Sequence, residues 1–345
     1  SMSLKFPGLQ LGESTMDVLV EATSLRDKPT VHVRAEMPKQ DCGKALRAIP
    51  PAMLSTIGEV EAKGEVSWLV DLAVPLQNVY KATLDLQLDD ATCEVSKFGT
   101  IDLAQFAGEF TRPVNENGEL LDGHDPEHPN VPVGPLSESW APLAELPAWV
   151  PWSMIATEDG SFYKHRGLRP TLLLRAIRLD LDYGRFVYGG STITQQLVKN
   201  IFLTRAKNLA RKFEELLIVW QMERTLPKDR ILELYVNMIE FGPKIYGIQR
   251  AAQTYFGKDA KDLSPLETSF LAANKPCPRC GWARFSGKKW DAWWQERMIG
   301  IMTKARGEGV INEEQFLAEQ GGVPKFLGWP TTQQGPAQPL GGVEE

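Results

Sequence analysis

The first third of the chain shows the two-residue alternation of apolar and polar side chains that half-buried strands have. Residues 30–38, TVHVRAEMP, and 82–90, ATLDLQLDD, alternate clearly, and the more apolar 65–76, EVSWLVDLAVPL, is also typical of a strand. Residues 42–54 predict a short helix that the Pro50–Pro51 pair interrupts. This part is therefore predicted to be a β-rich domain over residues 1–112.

From residue 141 the apolar positions recur at helical spacing instead. Four segments predict amphipathic helices: residues 208–226, 227–241, 264–275 and 290–309. Ser264 with Glu267, and Thr192 with Gln195, have the three-residue spacing of a capping box at a helix start. The pattern predicts a mainly α-helical domain over residues 141–320.

Between these regions, residues 113–140 are rich in Pro, Gly and acidic residues and predict a linker or long surface loop. His124 and His128 lie there, and a solvated acidic loop is favoured over a metal site. The end of the chain, residues 321–345, predicts a flexible tail. The fold class is thus α+β multidomain, a helical domain after a β-rich one.

Composition narrows the class of protein. The 345 residues carry a net charge of −6, which argues against a nucleic-acid partner. No run of about 20 apolar residues could span a bilayer. Ser precedes Met at the start, so we expect a fragment whose native anchor lies outside it.

The four cysteines leave their pairing open. Cys42, Cys93, Cys277 and Cys280 permit two disulfides without establishing them. The CPRC run at 277–280 is interpreted as a local disulfide or two free thiols rather than half a zinc site, because about two more ligands would be needed.

Three short runs are candidates for chemistry. EDGSFYKHRG at 158–167 places a carboxylate pair after an apolar run, where a glutamate is suited to proton transfer. GGSTITQQLVKN at 189–200 joins two glycines to a helix start and a lysine, which favours an anion such as phosphate, although an ordinary turn and cap explain it too. RKFEE at 211–215 is an anion-binding face or a surface ion pair.

Their order carries more information than any one of them. Together with KDRILELYVN (228–237) and YGIQRAAQTYFGK (246–258), they resemble the five ordered motifs of the peptidoglycan glycosyltransferases, family 51. NMIEFG at 237–242 is most similar to the monofunctional branch. The resemblance covers residues 141–320 and implies a lysozyme-like fold. Residues 1–112 weakly resemble the β repeats of AsmA-like envelope proteins.

The resemblance implies a reaction and its residues. The family polymerises lipid II: an acceptor 4-hydroxyl attacks C1 of the donor sugar and displaces polyprenyl pyrophosphate with inversion. Glu158 matches the base and Glu215 the second essential glutamate. Asp159 matches a structural residue of the loop, and His165 an orienting one. The residues that match substrate-binding positions are Asp159, Phe162, Gly189, Gly190, Ser191, Thr192, Gln195, Gln196, Lys199, Lys207, Arg211 and Lys212.

The same resemblance sets the expected surroundings. It implies lipid II, a nascent glycan strand and the membrane surface as partners, with other cell-wall synthesis proteins allowed, at the periplasmic face of a bacterial inner membrane. It allows a divalent cation, Mg²⁺ or Mn²⁺, and implies no organic cofactor. No metal-ligating residues are predicted.

Some residues depart from the family pattern. Lys207 stands where an arginine is expected, and a lysine is a point charge rather than a fork. Pro243–Lys244 replaces an arginine or glycine pair. Two alternatives to a synthase therefore stay open: a lysozyme-like hydrolase, which the pyrophosphate-binding motifs disfavour, and a non-catalytic module that binds glycan or lipid II.

Overall fold

A computed structural model describes residues 1–24, 26–111, 132–133, 137–185, 190–203, 209–275 and 277–330. The strands are β1 (Met2–Leu11), β2 (Ser14–Thr23), β3 (Thr30–Asp41), β4 (Val60–Lys63), β5 (Glu65–Pro75), β6 (Thr83–Asp89), β7 (Glu94–Phe98), β8 (Phe110–Thr111), β9 (Pro132–Val133), β10 (Glu240–Gly242) and β11 (Ile245–Tyr246). The helices are α1 (Cys42–Arg47), α2 (Trp149–Glu158), α3 (Pro170–Tyr183), α4 (Ile193–Phe202), α5 (Leu209–Thr225), α6 (Lys228–Met238), α7 (Ile248–Phe256), α8 (Pro265–Asn274), α9 (Pro278–Ser286), α10 (Ala292–Gly307) and α11 (Glu313–Glu319).

The described residues form two compact units. The first draws on residues 1–102, 168–191 and 205–218, and the second on 103–167, 192–204 and 219–345. Helix α5 runs through segments of both. The first unit thus combines the N-terminal region with two segments of the predicted helical domain, whereas the boundaries drawn from the sequence follow the chain.

In the first unit, an antiparallel sheet has the strand order β1-β2-β3-β5-β6. The register pairs Val20 with Val33, Val33 with Leu72, and Leu72 with Leu84, so apolar side chains share one face. The predicted strands at 30–38, 65–76 and 82–90 are confirmed, and β1 and β2 extend the sheet. The N-terminal region is β-rich, as its alternation predicts.

A smaller two-stranded sheet, β4 with β7, lies beside α1 in the same unit. The disulfide Cys42–Cys93 joins the first residue of α1 to the residue before β7, and both cysteines are buried. The short helix predicted after residue 42 is confirmed, as is its interruption before Pro51. This disulfide settles one pairing that the sequence left open.

In the second unit, α4 packs against α6, and α8 packs against both α2 and α10. Both predicted capping boxes are present, Thr192 with Gln195 before α4 and Ser264 with Glu267 before α8. These caps satisfy backbone groups at each helix start. The predicted helices at 208–226, 227–241, 264–275 and 290–309 are confirmed within a few residues.

Two segments predicted to be flexible are partly packed. Within 321–330, Val323, Phe326 and Trp329 are buried, and the Phe326 ring stacks on Phe256 at 5.6 Å. The flexible-tail prediction is therefore wrong for these ten or so residues, because their aromatic side chains complete an apolar cluster; residues 331–345 lie outside the described part.

The end of the predicted linker is also structured. Trp140 is buried, and the backbone of Ala141 is hydrogen-bonded in both directions by the Asn237 amide, at 2.8 and 2.9 Å. Phe110–Thr111 pairs with Pro132–Val133. His124 and His128 lie outside the described residues.

Two further findings bear on the setting of the protein. Cys277 and Cys280 form a disulfide at the start of α9. Of the helices among the described residues, none is both long and apolar enough to cross a membrane.

Candidate active site

Glu158 is the last residue of α2, and a small part of its carboxylate reaches the surface. Its side chain is 15% exposed. Oε2 accepts a hydrogen bond from Gln196 Nε2 at 2.7 Å, and Gln196 Oε1 accepts one from the Tyr235 hydroxyl at 3.1 Å. Helices α2, α4 and α6 thus hold this carboxylate in a fixed orientation while part of it stays accessible.

A buried cation faces the other carboxylate oxygen. Lys275 follows α8, is 3% exposed, and places Nζ 3.6 Å from Glu158 Oε1. Its Nζ also donates to the carbonyl of Met154 at 3.2 Å. Burial lowers the pKa of Lys275 from 10.5 to about 8, and Glu158 opposes this shift. Lys275 is therefore mostly charged at pH 7 and lies within ion-pair distance of Glu158.

Tyr235 completes this polar group. Its side chain is fully buried, and burial first, then the charges of Glu158 and Asp159, raise the pKa of its hydroxyl well above 10. It therefore stays protonated and acts as a donor to Gln196 at physiological pH. Tyr235 thus orients the Gln196 amide, which in turn orients the Glu158 carboxylate.

Asp159 has a different environment from its neighbour. It is fully buried, and its two oxygens lie 2.9 Å from His165 Nε2. Oδ2 also accepts from the backbone N–H of Ile193, the first residue of α4, at 3.3 Å. Asp159 therefore ties the loop after α2 to the start of α4, in keeping with the structural role that the resemblance implies for it.

The start of α4 is satisfied by protein groups. The Thr192 hydroxyl donates to the carbonyl of Gly167 at 2.7 Å, and the Gln195 side chain accepts from the Thr192 N–H at 2.9 Å. Thr192 and Gln195 are buried. The anion site predicted at this helix start is not supported by the geometry, because Asp159 and the capping box already occupy the N–H groups of Ile193, Thr192 and Gln195.

The second candidate glutamate belongs to the other unit. Glu215 on α5 is 2% exposed, with Arg211 Nη1 at 3.2 Å from Oε2 and Lys212 Nζ at 2.5 Å from Oε1. The i,i+4 ion pair of Arg211 with Glu215 considered from the sequence is present, but it is not a surface pair, since the carboxylate is buried. Two cations fix it, and Lys212 remains 41% exposed, so this cluster can present positive charge to an anion.

The remaining predicted residues fall into three groups. Phe162 is fully buried beneath Lys228 Nζ, 4.2 Å from its ring, so it packs the loop and does not line an open surface. Lys199 is exposed, while Gly190, Ser191 and Gln196 are half-buried. Gly189 and Lys207 lie outside the described residues.

The residues present do not by themselves form a cation site. Among the described residues, no three His, Cys, Asp or Glu side chains gather as a metal would require. Glu215 already has an ion pair at each oxygen. No step is assigned to a metal on these residues.

Comparison with known proteins agrees with the order of the motifs. Residues 131–298 match the model of the family described as "Transglycosylase". Residues 131–298 thus resemble a transglycosylase domain. The resemblance to glycosyltransferase family 51 is thereby confirmed, and the matched segment begins ten residues before the predicted boundary at 141.

Named relatives point to the same family. The chain is 36% identical to penicillin-binding protein 1A of Aquifex aeolicus over 55% of this chain and 29% of that protein. It is 41% identical to the biosynthetic peptidoglycan transglycosylase of Cupriavidus metallidurans over 42% of this chain and 63% of that protein. It is 40% identical to penicillin-binding protein 1F of Bacillus subtilis over 52% of this chain and 24% of that protein. The chain thus spans less than two thirds of each of these relatives.

Sequence reasoning missed several residues of the site. Lys275 directly follows the apolar helix α8, and nothing in the neighbouring sequence indicates that it pairs with Glu158. Glu214, buried beside Glu215, was assigned only to the charge count of its segment. The Glu223 side chain is 3% exposed and accepts from Thr194 Oγ1 at 2.5 Å and Lys228 Nζ at 2.9 Å. None of these contacts follows a helical or strand period.

Proposed function

We propose that this transglycosylase polymerises lipid II into glycan strands, with Glu158 as the general base. The observation that carries the proposal is the state of this carboxylate: partly accessible, hydrogen-bonded by Gln196 and paired with the buried Lys275. A base must be ionised before it can accept a proton. The family match and the names of the relatives support the substrate class.

In the proposed reaction, Glu158 takes the proton of the acceptor 4-hydroxyl as its oxygen forms a bond to C1 of the donor. The bond between C1 and the pyrophosphate oxygen breaks, and that oxygen takes the electron pair. One displacement inverts an α-linked donor into a β-linked chain. Arg211 and Lys212, held by Glu215, would stabilise the leaving pyrophosphate, because charge-assisted contacts to phosphate oxygens are strong.

The finer predictions from the resemblance belong to the same proposal. They are a lysozyme-like fold for the helical domain, a membrane-bound substrate, and work at the periplasmic face of the inner membrane. Two disulfides support an oxidising compartment. A divalent cation, if used, would take its ligands chiefly from the pyrophosphate. An AsmA-like relationship of residues 1–112 stays a prediction.

The test is polymerisation of fluorescent lipid II in detergent by the wild type, Glu158→Gln and Glu215→Gln. We expect long glycan chains from the wild type only, since glutamine keeps the shape of each side chain but cannot accept the proton or hold two cations. Retained lipid II binding without product from any of the three would favour a non-catalytic binding module. Shortening of preformed glycan would favour a hydrolase.

A further inference from the structure

The N-terminal region contacts the helix that carries the second glutamate. The backbone N–H groups of Thr56 and Ile57 both donate to Oε1 of Glu214 on α5, the latter at 2.9 Å. Glu214 is 2% exposed. A buried carboxylate that accepts two backbone hydrogen bonds is a strong anchor, because leaving buried backbone N–H groups unpaired is energetically costly.

This anchor lies within one turn of the proposed pyrophosphate-binding residues. Glu214 directly precedes Glu215, and Glu215 holds Arg211 and Lys212. Because a helix moves as a rigid element, a displacement at Glu214 moves all three side chains together. Their placement relative to a bound pyrophosphate therefore depends on what holds Glu214.

The loop that supplies the anchor is itself rigid. Ile57 is fully buried, and its carbonyl accepts from the N–H of Thr100 at 3.0 Å. Gly99 has a φ of +54°, and a Cβ there would lie 1.5 Å from the Ile57 oxygen, so only glycine fits. The Cys42–Cys93 disulfide braces the same small sheet. The loop that binds Glu214 thus belongs to a part of the fold that a disulfide stabilises.

A second tie joins the N-terminal region to α3. The Arg178 guanidinium donates to the carbonyl of Ala82 at 2.5 Å, and the Tyr80 hydroxyl donates to Asp182 Oδ2 at 2.8 Å. Helix α3 in turn lies against Gly190 of the second motif, where a Cβ would be 3.0 Å from the carbonyl of Leu172. Both transglycosylase segments of this unit therefore contact the N-terminal strands and loops.

We infer that the N-terminal region is a support for the donor side of the transglycosylase site, and that Glu214 is the positioning residue through which it acts. The inference rests on the proposed function, since it assigns Arg211, Lys212 and Glu215 to the donor pyrophosphate. By this inference the β-rich region contributes to substrate binding by positioning α5, and its own residues take no part in the chemistry.

The experiment compares Glu214→Gln with Glu214→Asp. Glutamine keeps an oxygen acceptor at the same reach, whereas aspartate keeps the charge but is one methylene shorter. Glu59→Asp is the matched control, because Glu59 is an exposed glutamate in the same loop region. The probe is a lipid II analogue with a blocked 4-hydroxyl, which can serve as donor but not as acceptor; its Kd and the pH profile of polymerisation are measured.

We expect Glu214→Asp to raise the Kd of the blocked analogue about tenfold, since a displacement of about 1 Å in positioning groups is costly. Glu214→Gln and Glu59→Asp should stay near the wild-type Kd, and no variant should shift the pH profile of polymerisation. An unchanged Kd in a folded Glu214→Asp would overturn the inference and leave a purely stabilising contact. Absence of polymerisation by the wild type would instead count against the proposed function.

Discussion

Replacement of Lys275 by methionine removes the ion pair with Glu158, and its effect on the reaction rate can be measured separately from its effect on the stability of the fold. The two charges lie 3.6 Å apart, and a pair at about 4 Å interacts by about 4 kcal/mol at an effective dielectric constant of 20. Glu158 is partly exposed and keeps its hydrogen bond from Gln196, so only part of this interaction energy is lost when Lys275 is replaced. We therefore expect Lys275→Met to lower the rate of polymerisation about tenfold, the equivalent of about 1.4 kcal/mol.

The readout is the rate of lipid II polymerisation between pH 5 and pH 9. Without the nearby ammonium, Glu158 loses its charged partner, so the rate should fall about tenfold below about pH 8, where Lys275 of the wild type is charged. Above about pH 8 the rates of the two proteins should converge, because Lys275 of the wild type then loses its charge. Lys97→Met removes a lysine from an exposed pair at 3.5 Å and is the matched control, since exposed pairs contribute little.

The effect of Lys275→Met on the free energy of unfolding should differ from its effect on the rate. Burial lowers the pKa of Lys275 to about 8, so between about pH 8 and 10.5 the unfolded chain binds more protons than the folded one. The unfavourable contribution of the buried ammonium is present below pH 8 and fades as the pH rises through this window. Lys275→Met should therefore leave the urea midpoint at pH 7 unchanged or raised.

Two results would refute this reasoning. A rate profile that coincides with that of the wild type would show that the ion pair between Lys275 and Glu158 does not contribute to activity. A large loss of stability at pH 7 would show that the ammonium, rather than the aliphatic chain, holds the packing of α8.

Three further predictions concern the scaffold. Gly167→Ala should destabilise the fold by about 1–3 kcal/mol and lower activity, because a Cβ at this φ of +76° would lie 2.3 Å from Val219 Cγ1; Gly160→Ala, which meets no atom within 4 Å, is the control for thermal unfolding. Removing the Cys42–Cys93 disulfide by Cys42→Ala with Cys93→Ala should cost about 4 kcal/mol in urea unfolding, since it closes a loop of 51 residues; an unchanged midpoint would contradict this. Phe326→Ala should cost about 3–5 kcal/mol by the same measurement, because the ring is buried among other aromatic rings; a loss below 1 kcal/mol would mean that residues 321–330 do not pack stably.

Elements that depend on neighbouring residues were predictable from the sequence, whereas elements that depend on distant contacts were not. Strands at 30–38, 65–76 and 82–90 and both capping boxes were predictable, because alternation and capping depend on residues a few positions apart. The flexible-tail prediction failed for 321–330 because composition cannot tell that three aromatic or apolar side chains find a cluster contributed by earlier helices.

The candidate site divides in the same way. Five motifs in order predicted the transglycosylase family and, through that resemblance, Glu158 and Glu215 as candidate site residues. Three contacts follow from the fold and from no local pattern. Lys275 pairs with Glu158, and Asp159 and Thr192 join the loop after α2 to the start of α4. Glu214 accepts its hydrogen bonds from the N-terminal loop. The physical reason is range: periodicity reports which side of one element is buried, whereas these contacts join residues far apart in the chain, and the path of the backbone alone brings them within a few ångströms.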